Sequence, residues 1–385
     1  MDLAIPGAPG AELSIAPGGW NAKTSPVRTQ DFDFDYPASQ VAQFPCQPRD
    51  AARLMLIGQR VGERSDSQVR DLTSWLRRGD LLVLNTTKVF PARLLGTKAS
   101  GGHCEVLLVH RLAEDDASKG ESWRCMVRGR VRVGSQLILA EDSVAVVEQL
   151  QPDGQRDLRF PPGLSVLDLA LRHGRIPLPP YIKREANTED TERYQSVFAQ
   201  QLGSVAAPTA SLHFTPELLQ QFAQMGVEQA RVELQVGPGT FKPVEHEQIE
   251  DHPIHSEWCS CPAETVAAIE RTRAAGGRVI AVGTTVVRTL ESAHQQGQLC
   301  PWSGWTSAFL YPPALIQGCD YLLTNFHLPR STLLALVSCL IEREELLKHY
   351  RWAIERGYRL FSYGDAMLVP NRRLALALRD GSMPG

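Results

Sequence analysis

The stretch GRVIAVGTTVVRTLESAHQ, residues 277–295, decides the fold class of this chain. Its apolar run predicts a strand, Gly283 predicts a turn, and the following residues predict a helix that Thr284 can cap. A second unit of the same kind, DYLLTNFHLPRSTLLALVSCLIEREELLKHY, spans residues 320–350, with Ser331 opening the helix. Two strand–turn–helix units predict an α/β domain, in which ligands gather beyond the carboxyl ends of the strands.

The pattern changes between residues 73 and 165, where strand-like runs follow one another closely. Runs such as DLLVLNTTKVFPARLLG (80–96) and CEVLLVHRL (104–112) are separated by Gly or Asp and show little helical periodicity. This spacing is typical of a small barrel or sandwich. We therefore predict an α/β fold, with a larger mixed α/β domain and an inserted small β-barrel domain.

The domain boundaries follow from these changes of pattern. The α/β catalytic domain is predicted to be discontinuous, comprising residues 31–72 and 166–370, and the barrel occupies 73–165. Residues 1–30 are rich in Gly, Pro and Ala and lack the pattern of a signal peptide, which predicts a mobile N-terminal extension. Residues 371–385 are predicted to form a C-terminal tail.

Composition excludes several classes of protein. The net charge of −3 over 385 residues gives no overall attraction to nucleic acid, although a local basic face is still compatible with it. Eight scattered cysteines without a CxxC pair indicate thiols in a reducing compartment. The longest apolar run, at 333–341, is about half the length that a membrane span needs. We therefore expect a cytoplasmic protein.

The helix start in VGTTVVRTLES (282–292) is a candidate anion site. Exposed N–H groups at a helix N-terminus favour a carboxylate or phosphate, and Gly283, Thr284 and Thr285 add close backbone approach and hydroxyl donors. One turn later, the guanidinium of Arg288 matches the planar geometry of such a group. The alternative is ordinary capping of the helix by Thr284.

Polar residues also follow the strand in LTNFHLPRST (323–332). Asn325, His327 and Arg330 lie where a strand ends and a helix begins, which is a favoured ligand position in open sheets. The alternative is a turn-forming asparagine beside an exposed histidine. The glycine-rich VGPGTFKPV (236–244) permits close approach to a ligand, but it lacks the phosphate-loop and dinucleotide patterns.

Three histidines and a glutamate crowd into HEQIEDHPIHSEW (246–258), namely His246, His252, His255 and Glu257. Imidazoles with a carboxylate suit zinc or iron, but the HxxH spacing with an intervening proline is not the helical pair of zinc proteases. A metal site and a general-base role for Glu257 or a histidine both stay open at this point.

Two further stretches contain candidate site residues. FSYGDAML (361–368) places Asp365 after a glycine turn, where a surface turn is the alternative interpretation. The absence of a GxSxG elbow argues against a Ser-His-Asp hydrolase. GSVAAPTASLHF (203–214) carries no charge and few large side chains, and its proline interrupts regular structure. Small side chains let a backbone lie against a flat ligand, which makes Thr209 and His213 candidate site residues.

Taken together, the chain resembles the S-adenosylmethionine:tRNA ribosyltransferase-isomerases of queuosine biosynthesis. Ten segments occur in order from about residue 31 to 368, so the resemblance covers nearly the whole folded chain. These segments are AQFPCQPRDAARLM, GDLLVLNTTKVFPARLLG, PLPPYIKR, ERYQSVFA, GSVAAPTASLHFTPELL, VGPGTFKPV, HPIHSE, VIAVGTTVVRTLES, LLTNFHLPRSTLLALVS and YRLFSYGDAML.

The resemblance implies an activity. The ribosyl group of S-adenosylmethionine is transferred and isomerised onto 7-aminomethyl-7-deazaguanine at the wobble position of a tRNA. The products are epoxyqueuosine-tRNA, adenine and methionine. The resemblance implies no metal and no other cofactor, since S-adenosylmethionine is the ribosyl donor. It agrees with an α/β domain that carries a small barrel, and we expect a monomer.

Roles for individual residues follow as hypotheses from the resemblance. The candidate bases for removing a proton from the ribose 5′ carbon are His213, His255, Glu257 and His327. Thr284, Thr285 and Arg288 are expected to hold the methionine carboxylate, and Asp365 a ribose hydroxyl or the ammonium group. The remaining predicted substrate-binding residues are Thr209, Gly283 and Asn325. A basic tract for the anticodon arm is predicted at Arg49, Arg53, Lys88 and Arg93.

Five positions depart from the pattern associated with the family. They are Thr86, Ser211, Gln235, Pro238 and Ser307. Gln235 removes a titratable group, so it cannot supply the base, and Ser211 adds a side chain where glycine is expected. Tolerated variation within the lineage and a shifted acceptor preference are the two explanations, and we favour the first. The competing hypothesis is a catalytically idle tRNA-binding paralogue, which would need a basic face but not the pocket around His213 and Thr284.

Overall fold

A computed structural model describes residues 27–112, 117–241 and 243–379 of the chain. Most of the predicted N-terminal extension, residues 1–26, lies outside the described residues. Its last residues belong to the fold, because Thr29 is buried and its N–H donates to the carbonyl of Glu247 at 2.9 Å. Residues 27–30 are therefore not part of a mobile extension.

The predicted C-terminal tail also starts inside the fold. Residues 380–385 lie outside the described residues, but Arg372–Arg379 is a helix. The buried Asn371 donates from Nδ2 to the carbonyls of Ile316 and Cys319, both at 2.8 Å. Arg372 is paired with Glu345 at 2.7 Å. These contacts attach residues 371–379 to the α/β domain, which corrects the predicted boundary.

The strands of the described residues are, in chain order, β1 Arg53–Ile57, β2 Arg64–Gln68, β3 Leu81–Asn85, β4 Thr87–Val89, β5 Arg93–Lys98, β6 His103–Arg111, β7 Ser122–Arg128, β8 Gln136–Ile138, β9 Val144–Leu150, β10 Arg156–Arg159, β11 Gln201–Ser204, β12 Glu228–Leu234, β13 Glu257–Cys261, β14 Val279–Val282, β15 His294–Gln295, β16 Gln298–Leu299, β17 Trp302–Thr306, β18 Tyr321–Asn325 and β19 Ala366–Pro370.

The α-helices are α1 Leu72–Trp75, α2 Val166–His173, α3 Thr188–Arg193, α4 Pro216–Met225, α5 Ala263–Ala274, α6 Thr284–Ala293, α7 Thr332–Val337, α8 Arg343–Glu355 and α9 Arg372–Arg379. Sequence signals set their ends: Thr215 caps α4 through the N–H of Leu218 at 3.1 Å, and Gly226 closes it with φ +79°. Among the described residues, no helix is long and apolar enough to cross a membrane.

A mixed sheet forms the centre of the α/β domain. Its nine strands within the described residues run in the order β17-β13-β12-β3-β14-β18-β19-β1-β2. The four central strands, β12, β3, β14 and β18, are parallel, so their carboxyl ends meet at one edge. Helices cover both faces: alternate residues of β3, such as Leu81 and Leu82, belong to different hydrophobic cores. This sheet confirms the α/β part of the predicted fold class.

The second domain is a closed barrel of six described strands in the order β10-β7-β6-β5-β8-β9. Its interior is apolar and includes the buried rings of Trp123 and Phe160. The barrel starts at β5, because β3 lies in the middle of the large sheet and β4 pairs with β11. The predicted start at residue 73 is therefore too early. All five residues of β3 are buried, which is typical of a central parallel strand covered on both faces.

The chain enters and leaves the barrel at adjacent points. Arg93 and Arg175 form an antiparallel bridge. The N–H of Arg93 donates to the carbonyl of Arg175 at 3.2 Å, and the N–H of Arg175 donates to the carbonyl of Arg93 at 2.9 Å. The barrel is therefore an insertion whose two connections are hydrogen-bonded to each other.

Polar side chains fix both ends of β3. Asp80, directly before it, is fully buried and accepts hydrogen bonds from Nε of Arg278 at 3.0 Å and from the N–H of Arg77 at 2.9 Å. Its carbonyl accepts the N–H of Glu228 at 2.9 Å, so Asp80 joins the starts of β12, β3 and β14. At the other end, the side chain of Asn85 bonds both backbone groups of Leu234 at 3.1 Å.

We expect Asp80→Asn to lower the free energy of unfolding by about 3–5 kcal/mol, because it removes the fully buried charge that pairs with Arg278, whose side chain is 19% exposed. Urea denaturation followed by circular dichroism measures the change. The control is Arg77→Ala, whose side chain is 63% exposed and lies 3.7 Å from the same carboxylate. That surface pair should contribute less than about 1 kcal/mol, so equal losses in the two variants would contradict the assignment.

Candidate functional site

A cavity lies at the carboxyl ends of the central parallel strands. This central cavity has about 600 Å³ of unfilled space, part of it open to solvent. Its walls come from the loop before α4, the turn between β14 and α6, the segment after β18, and the loop before β19. The lining residues are Tyr181, 207–210, Val236, Thr240, 283–285, 324–328, Ser331, Leu333 and 361–362. Six predicted site residues meet here: Thr209, Gly283, Thr284, Thr285, Asn325 and His327.

The loop GSVAAPTASLHF forms one wall. Its small side chains allow close approach to the β14–α6 turn, where Gly283 has φ +95° and a Cβ would lie 3.8 Å from that of Ala210. Residues Thr209–His213 form a short 3₁₀ turn that carries the chain into α4. Ser211 is fully buried, and its Oγ has no hydrogen-bond partner within the described residues.

The start of α6 faces this cavity. Gly283 is the N-cap residue and no side chain caps the helix, so the predicted capping by Thr284 is not made. The hydroxyl of Thr285 is buried and, within the described part of the chain, has no partner. A helix N-terminus with an unbonded hydroxyl beside it is a suitable environment for a polar ligand.

Two buried histidines belong to this region, His327 in the cavity wall and His213 behind it. Nε2 of His327 is 2.8 Å from Oγ1 of Thr324, and burial lowers the pKa of His327 to about 3. Burial, with the nearby charges of Arg359 and Arg49, lowers the pKa of His213 to about 4, although hydrogen bonding with Asn325 acts in the opposite direction. Both rings are therefore neutral at pH 7.

A second cavity adjoins the first and shares Thr240 and Leu333 with it. This side cavity has about 480 Å³ of unfilled space and is lined in part by His255, Glu257 and Arg288. Arg288 forms a buried ion pair with Glu257, which also accepts the N–H of Gly237 at 2.7 Å. Nη2 of Arg288 is buried and, among the described residues, has no acceptor. The guanidinium therefore keeps one donor for an anion.

The third opening is the interdomain cleft, which lies between the barrel and the α/β domain. It has about 1690 Å³ of unfilled space including open solvent, and it adjoins the side cavity at His252, Ile254 and His255. The barrel contributes His110, Leu112, Arg124, Asp153 and Gln155. The rings of His110 and Trp305, one from each domain, meet edge to face with centroids 5.0 Å apart.

His255 connects the cleft to the side cavity. Its Nδ1 lies 3.4 Å from Nε2 of Gln155 and 3.6 Å from Oδ2 of Asp153, both on the barrel turn 151–155. Its ring packs against Gly239, where any side chain would collide with the imidazole. The sequence analysis does not predict Asp153 and Gln155 as site residues, because they precede His255 by about 100 residues and belong to the other domain. No local signal marks them.

The crowded histidines do not form a metal centre among the described residues. No group of three His, Cys, Asp or Glu side chains in that part of the chain is placed to hold an ion. His246 and His252 have ring centroids 5.9 Å apart, while His255 faces the barrel turn and Glu257 faces Arg288. The metal interpretation of this stretch is therefore not supported.

Asp365 lies away from all three openings. Its carboxylate accepts the backbone N–H of Arg53 at 3.0 Å and that of Arg359 at 2.7 Å, and it is buried. Both oxygens hold the backbone between the loop before β19 and the start of β1. Its position does not support the expected contact with the ribose or the ammonium group.

The predicted basic tract is not brought together as a free surface. Arg49 donates to the carbonyls of Gln195 and Glu192, and Arg53 pairs with Asp66 at 2.6 Å. Arg93 pairs with Glu105 at 2.8 Å and with Glu185 at 3.0 Å. Lys88 is exposed on β4. Three of these four cations are therefore already neutralised or bound by the protein.

Most of the five departures from the family pattern lie outside the cavities. Thr86 donates to the carbonyl of Val232 at 3.3 Å, and Gln235 donates to Oε1 of Glu233 at 3.2 Å. Pro238 lines the interdomain cleft. Nothing in the structure explains Ser307.

Comparison with known proteins agrees with this architecture. A sequence model of a family described as "Queuosine biosynthesis protein" matches residues 29–369. An S-adenosylmethionine:tRNA ribosyltransferase-isomerase from Pelobacter propionicus is 47% identical over 345 residues, which is 88% of this chain and 99% of the relative. A protein of the same name from Thermotoga maritima is 45% identical, with 89% and 100% covered.

A solved structure is similar as well. The crystal structure of S-adenosylmethionine tRNA ribosyltransferase from Thermotoga maritima matches with a TM-score of 0.50 and 36% identity, covering 88% of this chain and 99% of that one. The family match spans both domains and every residue of the three openings. This chain is therefore a member of the queuosine biosynthesis protein family.

Proposed function

We propose that the protein transfers and isomerises the ribosyl group of S-adenosylmethionine onto 7-aminomethyl-7-deazaguanine at the wobble position of tRNA. The products would be epoxyqueuosine-tRNA, adenine and methionine. The observation that carries the proposal is the series of three adjoining openings, which offers separate places for a nucleoside, an amino acid and an incoming base. Relatives about 45% identical over their whole length bear the name of this activity.

The donor occupies the central and side cavities in this proposal. The adenosine part lies in the central cavity, where the small residues of the loop 203–214 leave room for a flat base. The methionine part reaches the side cavity, where its carboxylate accepts from the unbonded Nη2 of Arg288. Thr285, at the start of the same helix, offers its buried hydroxyl to the ribose.

The acceptor enters through the interdomain cleft. A base turned out of the anticodon can stack on aromatic rings, and His110 and Trp305 provide them. The aminomethyl group then approaches the side cavity past His255 as the neutral amine, and Asp153, next to His255, can stabilise the positive charge that the nitrogen gains when it bonds to the sugar. Both domains thus contribute to one site.

His255 is the candidate base that best meets the requirements of the chemistry. His213 and His327 have strongly lowered pKa values, which makes them poor proton acceptors at neutral pH. Glu257 is engaged by Arg288 and by the N–H of Gly237. His255 is partly exposed between two openings, and the carboxylate of Asp153 next to Nδ1 can stabilise the imidazolium that forms.

The reaction steps follow from the donor. The sulfonium acidifies the ribose 5′ carbon, and His255 takes a proton from it. The electron pair left on C5′ forms a double bond to C4′ as the C4′–O4′ bond breaks, and the ring oxygen becomes a carbonyl at C1′ as adenine leaves with the electron pair of its bond to C1′ and takes up a proton from His255. The acceptor amine then adds to C4′ and loses a proton, and C5′ bonds to C1′, which leaves an alkoxide on C1′. Closure of the epoxide then displaces methionine, which takes the electron pair of the carbon–sulfur bond. No metal or further cofactor takes part in this scheme, and we propose that it runs in the cytoplasm on a monomer.

The first test separates the enzyme from an idle tRNA-binding paralogue. The purified protein is mixed with S-adenosylmethionine and tRNA that carries the 7-aminomethyl-7-deazaguanine precursor, and free adenine is measured by chromatography. We expect adenine and methionine in equal amounts, and none with unmodified tRNA. Bound tRNA without adenine release would contradict the proposed reaction.

The second test addresses the base. His255→Ala should lower kcat about 100-fold or more, because a positioned general base contributes at least that factor. Asp153→Asn should lower kcat less, with an unchanged KM for S-adenosylmethionine. His173→Ala is the control, because this exposed histidine of α2 lies outside the three openings, and the variant should stay within a few-fold of wild type. Turnover within a few-fold for His255→Ala would show that another group is the base.

The third test concerns pH and stability. Between pH 6.5 and about 4 the unfolded chain binds a proton at His327 that the folded chain, with a pKa of about 3, does not bind. The free energy of unfolding therefore falls as pH falls, by up to about 1.4 kcal/mol per pH unit from this residue. In urea titrations from pH 6.5 to 4.5, His327→Gln should lose less stability than wild type. The exposed control His246→Gln should run parallel to wild type, and parallel curves for both variants would contradict the prediction.

A further inference from the structure

We infer that the loop between β7 and β8 of the barrel binds the phosphate backbone of the tRNA substrate. This arginine loop has the sequence RGRVRVG, residues 128–134, and the inference rests on the proposed function. It replaces the tract predicted around Arg49, Arg53 and Arg93, whose guanidinium groups are held by the protein itself.

The arginine loop presents unneutralised positive charge. Arg128, Arg130 and Arg132 are all exposed, and their guanidinium groups make no ion pair or hydrogen bond with the described residues. Two other barrel arginines, by contrast, form ion pairs: Arg124 with Asp157, and Arg159 with Glu148. No Asp or Glu occurs between Glu121 and Glu141, so the chain next to the arginine loop supplies no carboxylate.

A groove runs beside the arginine loop. It has about 1330 Å³ of unfilled space, much of it open to solvent, and Lys98, Arg130 and Arg132 line it. Its other lining residues are uncharged, including Ser100, Ser135 and Gln136. A wide, open groove with three cations and polar side chains suits a strand of phosphates better than a small buried anion. In a chain of net charge −3, such a concentration of positive charge is local.

Strand register places the arginine loop at the same end of the barrel as the turn 151–155, whereas His110 and Leu112 of the interdomain cleft lie toward the other end of β7. β10 is antiparallel to β7, with Arg156 opposite Cys125 and Arg159 opposite Ser122. The residues that follow β7 therefore lie at the same end of the barrel as the turn 151–155 that precedes β10. That turn carries Asp153 and Gln155 to His255. An RNA held by the arginine loop would thus lie on the side of the barrel where this turn borders the interdomain cleft.

Phosphate binding of this kind positions a nucleic acid without reading its sequence. The arginine loop would hold the anticodon arm while the interdomain cleft accepts the modified base. Removing its charge should therefore weaken tRNA binding but leave the chemistry on bound substrate intact. The KM for tRNA is expected to rise, and kcat at saturating tRNA is expected to stay unchanged.

The experiment uses the full chain with Arg128→Ala, Arg130→Ala and Arg132→Ala combined. Binding of fluorescent precursor tRNA is measured by anisotropy at several KCl concentrations. Each phosphate that no longer meets an arginine should reduce the slope of log K against log [salt] by about 0.7–0.9. For the triple variant, we expect the slope to fall by about 2 and the affinity by at least about tenfold at 0.1 M salt. Melting temperature and S-adenosylmethionine binding should not change.

The control combines Arg60→Ala, Arg78→Ala and Arg351→Ala, three exposed arginines of the α/β domain. It changes the net charge by the same amount and should leave the slope and the affinity near wild type. Equal weakening by the control, or wild-type affinity and slope in the arginine-loop variant, would overturn the inference. Absence of adenine release from wild type would instead refute the proposed reaction, because tRNA binding is measured separately.

Discussion

The fixing of β3 at both ends is the constraint on which the rest of the molecule depends. At its start, the buried charge of Asp80 joins three neighbouring strands, and at its end the side chain of Asn85 holds β12 in register. Because the central strands are parallel and start level, their carboxyl ends also finish at one edge. The turn at Gly283, the segment at Asn325 and the loop at Gly237 all begin there. The segments that follow these strands therefore enclose the central cavity at a fixed position on the sheet.

The site needs the second domain because the sheet edge alone is incomplete. The central and side cavities hold buried polar atoms without partners among the described residues, including Oγ1 of Thr285 and Nη2 of Arg288. Leaving such groups unsatisfied is costly, so their presence supports the proposed position of the donor. The carboxylate next to His255, however, comes from the barrel. The proposed donor pocket belongs to the α/β domain, whereas the proposed acceptor pocket is shared.

The sequence predicts those features that depend on neighbouring residues. Strand–turn–helix units place Gly283 and Asn325 correctly, because periodicity and breakers are local signals. It misplaces β3, since a short apolar run next to other strands does not reveal which sheet it joins. It also gives no sign of Asp153, whose proposed role depends on a contact across about 100 residues. Asp365 and Arg49 look available in the sequence, but their partners are backbone groups that only the folded chain brings near.

The bridge between Arg93 and Arg175 has a consequence for the order of folding. About 140 residues separate β3 from β12, with which it pairs. The entropic cost of closing such a loop increases with its length. The barrel strands are mostly neighbours in sequence, so they can pair early with short loops. Once the barrel has closed and the bridge joins its two ends, the roughly 80 residues between them no longer add to the effective length of the loop between β3 and β12. Early folding of the barrel would therefore lower the entropic cost of pairing β3 with β12.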